Sequence, residues 1–372
     1  MFKFKNKINN FIIYLFPFTL PLPISLQIKS ISLFLFLAYL IIKEKKKLKY
    51  PNEWSFFLIL SIIFFLDPIL SIVRDQIVFI NDTRLSFFIL PFLFVFFRIN
   101  PFKYYKKIVY ALLYGNIAYV MIITFSYFFS DKFKISYFIF KDWYHNSELY
   151  IHHIYSGLFI LISIIQVYYT DFKFKNCMTG ILILSIILVG SKFTLVVLVI
   201  IFIFLIENKK IKYYLLMVSV PLITLFYYIL SINNDSLYWS SHTRIKIWKR
   251  VFSILDGNIT LEGVKDVNQF VYIIGVGKYT IKERLMNYDT HNIFLQELLS
   301  NGIIGLSLVV LLFIYLTKKF KAKKENLAIL LCFFLFGLIE NLFELQIGVT
   351  CFVFYISILI FKKEVHSSKT DN

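Results

Sequence analysis

A histidine heads the stretch His291-Asn-Ile-Phe-Leu-Gln-Glu-Leu-Leu-Ser-Asn-Gly302-Ile-Ile-Gly305, where a long polar loop runs into an apolar helix. An imidazole titrates near neutrality, so it can accept a proton or stand as a cation. Behind a basic loop at a membrane boundary, it is placed for chemistry on an anionic, lipid-borne substrate. Two further segments supply fixed cations. Arg244 and Arg250 lie in His-Thr-Arg-Ile-Lys-Ile-Trp-Lys-Arg-Val-Phe-Ser-Ile-Leu, and a guanidinium fork can bind a diphosphate bidentately. Lys192 closes the tight turn Gly190-Ser191-Lys192, where it either binds phosphate as a point charge or snorkels to the interface.

Each candidate also has a plain structural reading. Ile245, Trp248, Val251, Phe252 and Leu255 recur at helical spacing, which describes an interfacial helix held by Trp248 and lipid headgroups. His291 can be an interface histidine beside a helix cap, with Asp289 or Asn292 supplying the capping oxygen. At 100° per residue His291, Leu295, Leu298, Gly302 and Gly305 share one helix face, and the glycines allow a second helix to approach closely.

More polar residues stand at the ends of apolar runs: Asp67, Arg84, Glu297, Glu340, Asn341 and Glu344. They either form structural ion pairs, Asp67 with Arg84 and a cation with Glu340 or Glu344, or line a polar cavity, for which Arg84, Asp67, Glu340 and Glu344 are the candidates. His145, His152 and His153 have no carboxylate at ligand spacing, so no metal is expected, and no cofactor. Gly275-Val-Gly277 lacks the strand–helix unit of a nucleotide site. Cys177, Cys332 and Cys351 fall in predicted helices and read as packing residues.

The elements that position these residues follow from composition. The 372 residues are 59% hydrophobic and 20% aromatic, too apolar to be hidden in a soluble core. Repeated apolar runs without period-2 alternation predict an all-α polytopic membrane bundle. Twelve spans are expected at 10–28, 30–42, 54–73, 84–97, 108–129, 153–170, 177–189, 192–206, 213–231, 292–316, 327–344 and 347–361. Clusters of Lys and Arg, holding 25 of the 40 basic residues, fall in every second loop, as the positive-inside rule requires when both termini are cytoplasmic. The net charge of +18 is then a topology signal and needs no nucleic acid. The basic start before 11–20 has no small-residue cleavage site and reads as the first span rather than a signal peptide. One membrane domain, 1–372, is expected, with a long extracytoplasmic loop at 232–291 that contains short helices. That loop carries eight cations against six acids on the face where positive charge is usually depleted.

The late loop, Arg244-Ile-Lys-Ile-Trp248, the Ile274-Gly275-Val276-Gly277 turn, and His291-Asn292 followed by Gly302-Ile-Ile-Gly305 resemble the O-antigen ligase and polymerase superfamily. Gly190-Ser191-Lys192 is similar to that family's Ser-Arg turn, with lysine in place of arginine. The ligase-like region is 177–316, and the flanking spans match only in hydropathy and topology. The resemblance implies a metal-independent glycosyltransferase of the bacterial inner membrane, acting at its extracytoplasmic face. Its donor would be an undecaprenyl-diphosphate-linked glycan and its acceptor a glycan or lipid A core hydroxyl, in O-antigen or other surface polysaccharide assembly. By the same resemblance Arg244 and Lys192 bind the diphosphate, and His291 activates the acceptor or orients the diphosphate; Arg250 is a further diphosphate-binding candidate. A flippase for lipid-linked sugars shares the twelve-span plan, but neither repeated halves nor paired broken helices are evident. A non-catalytic scaffold of the assembly system would keep the topology and tolerate loss of His291 and Arg244.

Overall fold

The computed structural model describes residues 2–43, 54–78, 82–97, 101–132, 143–144, 146–149, 151–189, 191–208, 235–255, 270–278, 281 and 289–360. Among them the regular structure is entirely helical. In chain order the helices are α1 (Phe2–Thr19), α2 (Leu26–Lys43), α3 (Trp54–Val73), α4 (Leu85–Phe96), α5 (Tyr105–Phe128), α6 (His153–Tyr169) and α7 (Lys175–Val189). They continue as α8 (Lys192–Leu205), α9 (Asp235–Leu255), α10 (Phe270–Ile274), α11 (Ile293–Phe320), α12 (Lys324–Gly337) and α13 (Gln346–Ile360). Among the described residues four stretches are long and apolar enough to cross a bilayer: Leu26–Lys43, Trp54–Val73, Pro101–Phe128 and Ile293–Phe320. The chain is a helical membrane protein. The expected span at 213–231 lies outside the described residues.

Two helices form the middle of the bundle. Fourteen consecutive residues of α6, Ile154 to Val167, are buried, as are Gly348 to Ile360 of α13. A helix apolar on every face has to sit among other helices. α6 packs against α5, α7, α8 and α12, while α13 packs against α4. Large apolar side chains are turned outward on α3, such as Ile69, Ile72 and Val73, as lipid contact requires. Asn116 ties α5 to α6 inside the bundle, its Nδ2 donating to Phe159 O at 3.2 Å and to Ser163 Oγ at 2.9 Å.

Three expected spans are redrawn. The first, 10–28, ends as a helix at Thr19 and turns through Leu20–Ile24, because Pro21 and Pro23 cannot continue the hydrogen-bond ladder. The run at 327–344 is helical only to Gly337; residues 338–345 form turns. Hydropathy does not separate these turns from the helix before them, yet they carry Glu340, Asn341 and Glu344. The tenth span, α11, is broken at Gly302, whose φ of 63° and ψ of −158° are not helical. His291 and Gly305 therefore do not lie on one continuous helix face.

The break is held by a docked segment. Val276 N–H donates to Leu299 O at 2.8 Å and Gly277 N–H to Ser300 O at 3.0 Å. A Cβ on Gly302 would stand 2.3 Å from the carbonyl carbon of Ile273, and one on Gly275 2.4 Å from that of Ser300. Both glycines have positive φ, so only glycine lets the two backbones meet. Gly302→Ala and Gly275→Ala are expected to destabilise the protein by about 2–5 kcal/mol, from left-handed backbone strain plus overpacking. Gly180→Ala, in α7 with nothing within 4 Å, should be neutral or slightly stabilising. Unfolding midpoints in detergent check the contrast.

Candidate functional site

His291 sits on an elbow outside α11 rather than in its first turn. Asn292 is the N-cap, with its Oδ1 accepting from Phe294 N–H at 2.9 Å and Leu295 N–H at 3.0 Å. Its Nδ2 donates to Leu338 O at 2.9 Å, which fastens the elbow to the turn after α12. Asp289 Oδ1 accepts the His291 backbone N–H at 2.8 Å, and the residue is held at φ 49°. A non-glycine residue there is uncommon and persists where its surroundings impose it. Thr290 Oγ1 donates to Asn292 O at 2.9 Å, and Thr290 N–H donates to Gln296 Oε1 at 3.2 Å.

The imidazole faces two carboxylates. His291 Nδ1 lies 3.4 Å from Glu340 Oε1 and 3.9 Å from Asp289 Oδ2. Glu340 is 2% exposed, whereas the His291 side chain is 36% exposed, so a buried carboxylate backs an open ring. The hydrogen bond to Glu340 raises the His291 pKa above 6.5; the two carboxylate charges add to that rise and burial opposes it. Burial pushes the Asp289 carboxyl upward and the His152 imidazole downward. The Tyr155 hydroxyl and Glu340 Oε2 are buried without a hydrogen bond among the described residues. Asp289, His291 and Glu340 each offer a ligand atom within 4.8 Å of the others, donor types that can also hold a divalent cation.

α9 brings the arginine. Trp248 Nε1 donates to Thr290 O at 3.0 Å, joining α9 directly to the elbow. Arg244 lies one turn earlier on the same face, and its charge acts on both His291 and His152. Val251, Ile254 and Leu255 pack with Val276, Ile281 and Leu299 in a small apolar cluster. The amphipathic register is as expected around Trp248, Val251 and Leu255, while Ile245 and Phe252 are exposed. Arg250 is exposed, on the opposite side of α9 from Trp248. At Lys192 the backbone begins α8, capped by Ser191, whose Oγ accepts from Thr194 N–H at 3.4 Å. The Lys192 side chain and Gly190 lie outside the described residues, as does His145.

The other cavity candidates separate from Glu340. Arg84, 2% exposed, binds Glu297 and Glu344 through Nη2 and Phe343 O through Nε at 3.1 Å. Lys278 Nζ also binds Glu344, and Lys278 N–H donates to Asp67 Oδ1 at 3.1 Å. Arg74 Nη1 takes Asp67 Oδ1 at 3.2 Å, while Nη2 donates to Ser300 O at 2.9 Å and to Ile274 O. The expected Asp67–Arg84 pair is therefore replaced. Arg84 is met by two acids from other elements, and Asp67 turns to Arg74 at the end of its own helix. Among the described residues Arg74, Arg84 and Lys278 stand against Asp67, Glu297 and Glu344, a buried charge cluster that clamps the broken helix.

Sequence reasoning passed over Lys278, Arg74 and Asp289 as site residues. Lys278 reads in sequence as one more loop cation, and its position directly after Gly275-Val-Gly277 is the available signal. No family model matches the chain, and no curated protein matches it.

Proposed function

We propose that this protein is a membrane glycosyltransferase that moves a glycan from undecaprenyl diphosphate to an acceptor hydroxyl. In this reading twelve spans place both termini in the cytoplasm and the His291 elbow at the outer face of a bacterial inner membrane. The observation that carries it is the Glu340–His291 pair beside Arg244. A carboxylate on Nδ1 holds that nitrogen protonated and leaves Nε2 as the acceptor, the arrangement of an oriented base. His291 Nε2 takes the acceptor's hydroxyl proton as the acceptor oxygen bonds to the anomeric carbon. The bond from that carbon to the diphosphate oxygen breaks, and Arg244 stabilises the charge that develops on the leaving diphosphate. The acceptor class, glycan or lipid A core, stays within this proposal, as does a diphosphate contact by Lys192.

The pH profile separates the two roles His291 can have. Its pKa is raised above 6.5, so the neutral base accumulates only above that value. Turnover is expected to rise with pH and level off above the raised pKa. A histidine acting as a cationic diphosphate ligand would give turnover that falls over the same window. Because Asp289, His291 and Glu340 also have metal-ligand types, turnover should be compared before and after chelation; the base reading expects no change. In cells, His291→Ala and Arg244→Ala at normal expression should abolish surface glycan and leave lipid-linked precursor on the outer leaflet. Precursor trapped inside would favour a flippase, and normal glycan in both variants would favour a scaffold.

A further inference from the structure

At the end of α11 opposite His291, the chain turns into α12 and leaves a cavity of about 440 Å³. Lys318, Lys319, Lys321 and Lys323 line it together with Asn326 and Leu359. No acidic residue is among its described lining residues. Glu325, in the first turn of α12, accepts a hydrogen bond from Tyr105 Oη. Lysines after an apolar helix are ordinary, since they suit its C-terminal dipole and the positive-inside rule. Two observations go beyond that account. Asn326 is 3% exposed, and its Oδ1 is buried without a hydrogen-bond partner among the described residues. A buried amide oxygen left unpaired carries a desolvation cost that a ligand donor would relieve. In addition, the N-cap position of α12, Lys323, gives no side-chain hydrogen bond to the first N–H groups, so a positive helix end opens beside the same lysines.

We propose that this cavity binds a phosphate-bearing anion. The lysines supply the charge, and the Asn326 carboxamide orients the ligand, with Nδ2 donating to a phosphate oxygen and Oδ1 accepting from a ligand hydroxyl. Phosphatidylglycerol offers both groups on one headgroup, and the apolar wall at Phe320, Leu359 and Ile360 suits the start of its acyl chains. Hydrogen phosphate from solution offers the same polar chemistry without the chains. The site stands apart from the His291 elbow and is independent of the function proposed for it.

The test uses the full chain reconstituted in phosphatidylcholine vesicles containing one quarter phosphatidylglycerol. After extraction in mild detergent, native mass spectrometry counts the retained lipid, and calorimetry measures binding of inorganic phosphate to lipid-free protein. The expected result is retained phosphatidylglycerol that falls at least about tenfold in Lys321→Ala/Lys323→Ala and in Asn326→Leu. Lys103→Ala/Lys106→Ala, which removes two basic residues outside this cavity, should leave retention unchanged. Phosphate binding that both cavity variants lose, without lipid retention, would assign the same site to a soluble phosphate. Equal lipid retention in all proteins together with no phosphate binding would overturn the proposal.

Discussion

Replacing His291 by alanine should lower glycan transfer by about 10²–10⁴-fold, the range for loss of a positioned general base. Glu340→Gln is expected to be milder in rate but diagnostic in pH. Removing the carboxylate removes the hydrogen bond and the charge that raise the His291 pKa, so the rising limb of the profile should move to lower pH. A residue that merely supported the fold would leave the profile in place. Because the two side chains act as a unit, the double variant should be no slower than His291→Ala alone. Initial rates across pH, measured in membranes with equal protein content, check all three expectations. Unchanged profiles in Glu340→Gln would separate the carboxylate from the chemistry.

The second large effect concerns the clamp. Arg84→Met leaves Glu297, 1% exposed, without its guanidinium partner and takes one cation away from Glu344. Truncating one member of a buried charge network costs about 3–5 kcal/mol, because the remaining charge stays in a low-dielectric site. Such a loss is a large share of the stability of a typical domain, so the detergent-solubilised variant should unfold at markedly lower temperature. Adding Glu297→Gln removes the orphaned charge and should recover part of the loss, a coupling that a double-mutant cycle reads directly. Arg84 also holds Phe343 O, in the same turn segment as Glu340, so the folded fraction of Arg84→Met should turn over more slowly than wild type. Equal midpoints for wild type and Arg84→Met would show that the network contributes little.

Local chemistry was readable before the fold was known. Asn292 was a capping candidate because its side chain reaches the first N–H groups of the helix that follows, and it does so. The register of Trp248, Val251 and Leu255 followed from helical periodicity, and those residues face inward. What one sequence could not reveal was which distant charges meet. Glu340 lies 49 positions from His291, and Glu344 lies 260 positions from Arg84. No periodicity relates them, so partner choice depended on the turn after α12, which looked like the end of a span. Gly302 is legible in the sequence as a close-approach glycine, but the break it makes in α11 is not. Helical-wheel reasoning assumes a continuous helix, whereas this glycine ends one helical segment and receives the backbone of Ile273. Gly275 and Gly277 lacked a nucleotide-site context, and their role lies in docking against that break.

In the proposed reaction His291, oriented by Glu340, takes a proton from an acceptor as the glycan leaves its lipid diphosphate. The most direct test is release of undecaprenyl diphosphate by purified protein in vesicles supplied with the lipid-linked glycan, with and without acceptor. Wild type is predicted to release the lipid diphosphate only when acceptor is present, and His291→Ala to release almost none. Equal release by wild type and His291→Ala, or none by wild type with donor and acceptor both present, would contradict it.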